Sequence, residues 1–145
     1  MEFFTQIKIK PFDKRISHSQ QILSIGSCFA ENIAQLLRSA KFHVTSSPTG
    51  ILFNPESIAD CIDALSQKRV IAEEELQQAN GVWFDFDFHS SFSSPDRDTA
   101  ICTMQSAINQ GSEALKNSEV VIITFGSAWV YRHKATGKVV ANCHK

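Results

Sequence analysis

The chain has 145 residues, 43% of them hydrophobic and 20% charged, with a formal net charge of −1. That length suits one domain with a real core, and the near-neutral balance gives no electrostatic reason to expect nucleic acid or an anionic membrane as a partner. No stretch approaches the roughly 18 apolar residues of a membrane span, and the N-terminus has no long apolar export run, so a reduced, cytoplasmic protein is expected.

Cys28, Cys61, Cys102 and Cys143 are widely spaced and none belongs to a Cys-x-x-Cys pair. This spacing signals neither a zinc ribbon, nor a thioredoxin-type site, nor a compact disulfide framework. Eleven phenylalanines against one tyrosine point to a filled core or an apolar groove.

In chain order, residues 3–12 alternate loosely through Phe4, Ile7 and Ile9 and stop at Pro11, which reads as an extended arm or edge strand. Residues 21–25 form a near-continuous apolar run, the pattern of a buried parallel strand. After Gly26 a helix is expected to about Ala40, with apolar Phe29, Ile33, Leu36 and Leu37. Residues 42–45 read as a short strand with Phe42 and Val44 on one face. Residues 46–50 are turn chemistry. Asn54-Pro55-Glu56 is a helix start: a capping side chain, a proline at the first helical position and an acid at the positive end of the dipole. Ile58, Cys61, Ile62 and Leu65 then mark one helical face.

Glu73-Glu74-Glu75 reads as the solvated first turn of a short helix. Residues 82–88 alternate, placing Phe84, Phe86 and Phe88 on one side of a strand and Trp83, Asp85 and Asp87 on the other. After a serine-rich loop, residues 97–116 carry a helical stripe of Ile101, Met104, Ile108 and Leu115. Residues 119–125 look like the best buried strand of the chain and end at a second glycine turn, Gly126-Ser127. Residues 129–132 and 138–141 flank a hairpin with Gly137 in its turn. The alternation is that of an α/β fold with parallel strands.

In such sheets ligands sit at the carboxyl ends of strands, where Ser27 and Ser127 both fall. Ser27 follows a strand and a glycine and precedes a helix, so two readings stand side by side. It can be a nucleophile exposed on a tight turn with helix N–H groups facing an oxyanion, or it can be the N-cap of that helix. Gly50 and Asn54 likewise read as turn and cap residues. His89, between a strand and a serine loop, can line a pocket or sit at the surface. Cys28 is read as a small buried residue rather than a reactive thiol.

Gly26-Ser27-Cys28-Phe29-Ala30 spells the signature after which the GSCFA family is named, and the chain resembles that family over nearly its whole length. The resemblance continues through Glu31-Asn32, Gly50-Ile51-Leu52-Phe53-Asn54-Pro55, His89-Ser90-Ser91-Phe92-Ser93 and Thr124-Phe125-Gly126-Ser127-Ala128-Trp129-Val130-Tyr131. It closes on Asn142-Cys143-His144-Lys145. It implies a three-layer α/β/α, flavodoxin-like sheet similar to the SGNH hydrolases, acting on a small-molecule ester or an acylated carbohydrate with no metal or other cofactor. By the same resemblance Ser27 matches the nucleophile and Gly50 the oxyanion glycine of the second block. Gly126 and Ser127 stand in the third block, where either Asn54 or a backbone N–H takes over as donor or the oxyanion hole is poorer. His89 is a pocket candidate from its place before the serine loop alone.

Two departures follow. Ala128 stands where that superfamily places its oxyanion asparagine, and no Asp-x-x-His occurs anywhere in the chain. His144 lacks the aspartate and, as the penultimate residue, is not read as the base. The expectation is therefore an N-terminal portion of the family pattern, with a sheet incomplete at its C-terminus and a nucleophile without its base. The competing expectation is a non-catalytic carbohydrate- or acyl-binding module, with Trp83, Trp129 and the phenylalanines as an apolar platform.

Overall fold

The computed structural model describes Thr5 and residues 7–141. Its centre is a parallel three-stranded sheet in the order β2-β1-β5, with β1 spanning Gln21–Gly26, β2 His43–Ser46 and β5 Val120–Thr124. Ile22 lies opposite Val44 on one side and Val120 on the other. Parallel neighbours need crossovers, and helices supply them. α1 (Cys28–Ser39) joins β1 to β2, while α2 (Pro55–Ser66) and α3 (Arg97–Asn117) lie between β2 and β5 in sequence. Two small antiparallel hairpins complete the mixed α/β fold: β3 (Gln77–Ala79) with β4 (Val82–Phe84), and β6 (Tyr131–Arg132) with β7 (Val139–Val140).

The two faces of β1 serve different helices because successive side chains point to opposite sides of a strand. Ser24 donates its hydroxyl to the Ala30 carbonyl of α1 at 3.3 Å, and Ala30 and Ala34 are buried. Leu23 and Ile25 join Ile58 and Leu65 of α2 and Met104 and Ile108 of α3 in the main core. Each fully buried aliphatic side chain there contributes about 1.5–3 kcal/mol relative to exposure. Gly111 lets α2 and the preceding turn approach α3. A Cβ there would fall 2.6 Å from Leu65 Cδ2 and 2.7 Å from Pro48 Cβ.

Several expectations hold closely. α2 starts at Pro55 behind an Asn54 cap, α3 spans its anticipated range, and Gly137 takes φ +70° in the last hairpin. Others are corrected. Of the two readings for residues 3–12, the edge strand is not formed, since Ile7 and Ile9 belong to no strand and are exposed, while Phe4 and the last four residues, Cys143 and His144 among them, lie outside the described residues. α1 docks through its alanines, with Ser24 of β1 bonded to the Ala30 carbonyl, and Phe29 and Leu36 face outward. The glutamate-rich segment is a single 3-10 turn, Glu73–Glu75.

The alternating run 82–88 stays a strand only to Phe84. It pairs backward with β3 through an Asn80-Gly81 turn, and then the Asp87 N–H folds onto Asp85 Oδ1 at 2.6 Å. That bend buries Asp85, where burial pushes its carboxyl up, against the Asp87 N–H and the nearby Arg69, which pull it down. β5, expected to be the most buried strand, exposes Val121 and Ile123 because among the described residues it pairs only with β1.

Candidate functional site

The end of β1 is shaped by what β5 places beside it. Gly26 takes φ +141° opposite Thr124, and a Cβ there would meet the Thr124 carbonyl oxygen at 2.2 Å and its Oγ1 at 2.7 Å. Only glycine fits, since both the conformation and the space exclude a side chain. Ser27 then opens α1 with extended backbone, φ −70° and ψ 176°.

Ser27 occupies the N-cap position but its hydroxyl makes no capping hydrogen bond. Ser27 Oγ instead lies 3.1 Å from Thr124 Oγ1, and the Ser27 N–H reaches Thr124 Oγ1 at 3.2 Å and the Thr124 carbonyl at 3.3 Å. The residue is 5% exposed. Of the two readings open at this position, side-chain capping is not realised. The N–H groups of Cys28 and Phe29, at the first two helical positions, find no acceptor among the described residues. They point to the partial positive charge expected at a helix start. Cys28 is exposed, against the expectation of a small buried residue.

The remaining candidates fall along one segment. The Leu52 N–H binds the Gly26 carbonyl at 2.8 Å, and the Phe53 carbonyl accepts from Gly126 at 2.8 Å and Ser127 at 3.0 Å. A Cβ on Gly126 would touch the Phe53 ring at 2.9 Å and Ser27 Cβ at 3.1 Å. Segment 51–54 therefore runs between the two glycine turns, and Ser27, Thr124, Gly126 and Phe53 form one cluster. Asn54 follows directly. It is buried, its Oδ1 takes the Ser57 N–H at 2.8 Å, and its Nδ2 donates to Ser57 Oγ at 3.0 Å, leaving one amide hydrogen unused.

Gly50 and His89 form a second contact. Gly50 has φ +101°, and a Cβ there would strike His89 Cβ at 2.1 Å. The Gly50 N–H is already given to the Ser47 carbonyl at 2.8 Å, and His89 Nδ1 faces Ser91, 3.0 Å from its hydroxyl and 3.2 Å from its N–H. Ser127 Oγ accepts the Trp129 N–H at 3.0 Å. Thr124 and Phe53 escaped the sequence reading. The only signal was that Thr124 ends its strand two residues before Gly126.

Elsewhere, a cavity of about 470 Å³ lies between α2 and the hairpins, with Asp60, Cys61, Arg69, Asp87 and Lys138 in its wall, and Ser27 does not line it. Burial raises the Cys61 thiol, opposed by the Thr49 hydroxyl, and burial with nearby Asp87 raises the Asp60 carboxyl. Trp83 packs at the core edge with the Arg97 guanidinium 5.7 Å above its ring, whereas Trp129 is 85% exposed. Among the described residues no group of three or more His, Cys, Asp or Glu side chains could hold a metal ion, and no helix is long and apolar enough to cross a membrane.

Comparison with curated proteins and with solved structures gave no match. The model of the GSCFA family matches residues 21–145, from the first residue of β1 through both glycine turns. With its signature turn at Ser27 and that match across most of its length, the chain belongs to the GSCFA family.

Proposed function

We propose that the chain carries the nucleophile of a serine-dependent ester or acyl hydrolase, built on an SGNH-like three-layer scaffold. The observation that carries this reading is the use of Ser27. Its hydroxyl is held at the carboxyl end of the central strand without capping the helix it precedes. Ligands of parallel α/β sheets bind at that end, and the family resemblance assigns the nucleophile to the same residue. In the reaction Ser27 Oγ attacks the acyl carbonyl and its proton passes to a base, which gives it to the alcohol as that leaves the tetrahedral intermediate. Water, deprotonated by the same base, then cleaves the acyl–Ser27 ester, releasing the acid and restoring the serine. The unused N–H groups of Cys28 and Phe29 are the donors for the oxyanion, with the spare Asn54 amide hydrogen on the adjoining segment; the Gly50 N–H is taken by Ser47, so Gly50 serves there as a turn. Gly126 and Ser127 keep that segment against Ser27, and His89 closes the far side of Gly50. Among the described residues the Ser27 hydroxyl meets only Thr124, so the base is a side chain other than those in contact with it there.

The test is hydrolysis of p-nitrophenyl acetate by the natural full-length polypeptide that contains these residues, compared with its Ser27→Ala variant. The expected result is loss of the enzymatic rate to background. An unchanged rate in the variant rejects Ser27 as the nucleophile.

A further inference from the structure

We infer that Thr124 is a positioning residue for Ser27, fixing the direction of its hydroxyl and supporting charge on its oxygen. This rests on the reading of Ser27 as nucleophile. Among the described residues Thr124 Oγ1 is the one hydrogen-bonding partner of Ser27 Oγ, at 3.1 Å. The same Oγ1 accepts the Ser27 N–H at 3.2 Å. A hydroxyl has one proton and two lone pairs. With one lone pair taken by the Ser27 N–H, Thr124 still has its proton and a second lone pair, so either hydroxyl can donate in the pair; the arrangement that serves the reaction is the one in which Thr124 donates and Ser27 receives.

Two consequences follow. In that arrangement the Ser27 proton is left unshared and free for a base. The Thr124 O–H also points at the atom on which negative charge grows as that proton leaves, and hydrogen bonds to charged oxygens are the stronger kind. The threonine is suited to this because branching at Cβ restricts its χ1. Gly26 is what admits it: the space a Gly26 side chain would fill is taken by Thr124 Oγ1 and its carbonyl. The pair is thus built from strand register, with Gly26 opposite Thr124, and from the absence of one Cβ.

The test is the rate at which a fluorophosphonate modifies Ser27 across pH in the natural full-length polypeptide. In that step Ser27 Oγ bonds to phosphorus, fluoride leaves, and the serine proton goes to the base. Thr124→Val keeps the shape and removes the hydroxyl, and Thr124→Ala repeats the removal without the branched side chain. Thr124→Ser restores the hydroxyl. The expected outcome is a rate lowered roughly tenfold or more in the hydroxyl-free variants, as for loss of one hydrogen bond to a charged group. Their pH profile should also move to higher pH, while Thr124→Ser stays within about threefold of the parent. A hydroxyl-free variant that reacts at the parent rate with the same pH profile overturns the inference and leaves the nucleophile standing. A Thr124→Ser variant as slow as Thr124→Val also overturns it, since the methyl would then be what matters. Absence of modification at Ser27 in the parent protein overturns both.

Discussion

Ser27 and Asn54 both stand at helix starts, and the structure treats them differently. Asn54 caps α2 through Oδ1, whereas the Ser27 hydroxyl turns away from α1 to Thr124. Removing a working cap costs about 1 kcal/mol and up to about 2. Thermal or urea denaturation should therefore find Asn54→Ala destabilised by about 1–2 kcal/mol, with Ser27→Ala losing less than about 1 kcal/mol. Equal costs would return Ser27 to a structural role. The glycines divide the same way. Gly26→Ala places a methyl group 2.2 Å from a backbone oxygen at φ +141°, whereas Gly81, at φ +78°, has nothing within 4 Å of its missing Cβ. We expect Gly81→Ala to cost about 1 kcal/mol and Gly26→Ala more than about 3 kcal/mol or the fold itself. Comparable melting temperatures for the two would contradict the close packing at the Gly26-Ser27 turn.

At the scale of elements, α1 is held to β2 by a polar clamp as well as by its alanines. Ser46 donates its hydroxyl to Glu31 Oε2 at 2.6 Å, Arg38 reaches Glu31 Oε1 at 3.3 Å, and the Arg38 guanidinium also meets the Ser46 hydroxyl. The Ser46 hydroxyl holds the Glu31 carboxyl below its usual range, with burial opposing and Arg38 assisting. A depressed folded value means the unfolded chain binds the proton more readily. The stabilisation is present above the ordinary glutamate value of about 4.3 and is lost as pH falls through the lower, folded one. Ser46→Ala should make the acid limb of the stability curve shallower below that pH. An identical limb in parent and variant would remove the clamp from the account.

Elements were legible where the signal is local. Asn54-Pro55 marks its helix by capping chemistry, and Met104 and Ile108 mark theirs by spacing. What failed depended on neighbours distant in sequence. The burial of β5 is set by whether a strand lies beyond it. The choice of Ala30 and Ala34 over Phe29 and Leu36 is set by which helix face meets β1, where Ser24 binds the Ala30 carbonyl. Ser27 and Thr124 are 97 residues apart, so the contact that gives Ser27 its orientation has no local trace. The turns at Gly26 and Gly126 were legible because glycines after apolar runs are local features, and Gly50 because serine, proline and glycine together mark a turn. That Gly50 meets His89 rather than offering a free N–H was not.

For the molecule as a whole, α1 lies on one face of a short sheet and the α2–α3 core on the other, with β5 exposing a flank. Val121 and Ile123 are 43% and 41% exposed, and Phe125 continues the same face. Apolar edge strands promote pairing between chains, and an inward-facing charge blunts them. The 145-residue chain should accordingly self-associate with rising concentration, and Ile123→Lys should reduce this by light scattering. Equal scattering from parent and variant would place any association elsewhere. The central claim is that Ser27 performs covalent chemistry, with exposed Cys28 beside it as the nearest competitor. Peptide mass spectrometry after fluorophosphonate treatment of the natural full-length polypeptide decides between them. The account predicts one adduct on Ser27 that vanishes in Ser27→Ala, and an adduct on Cys28, on another residue or on none would contradict it.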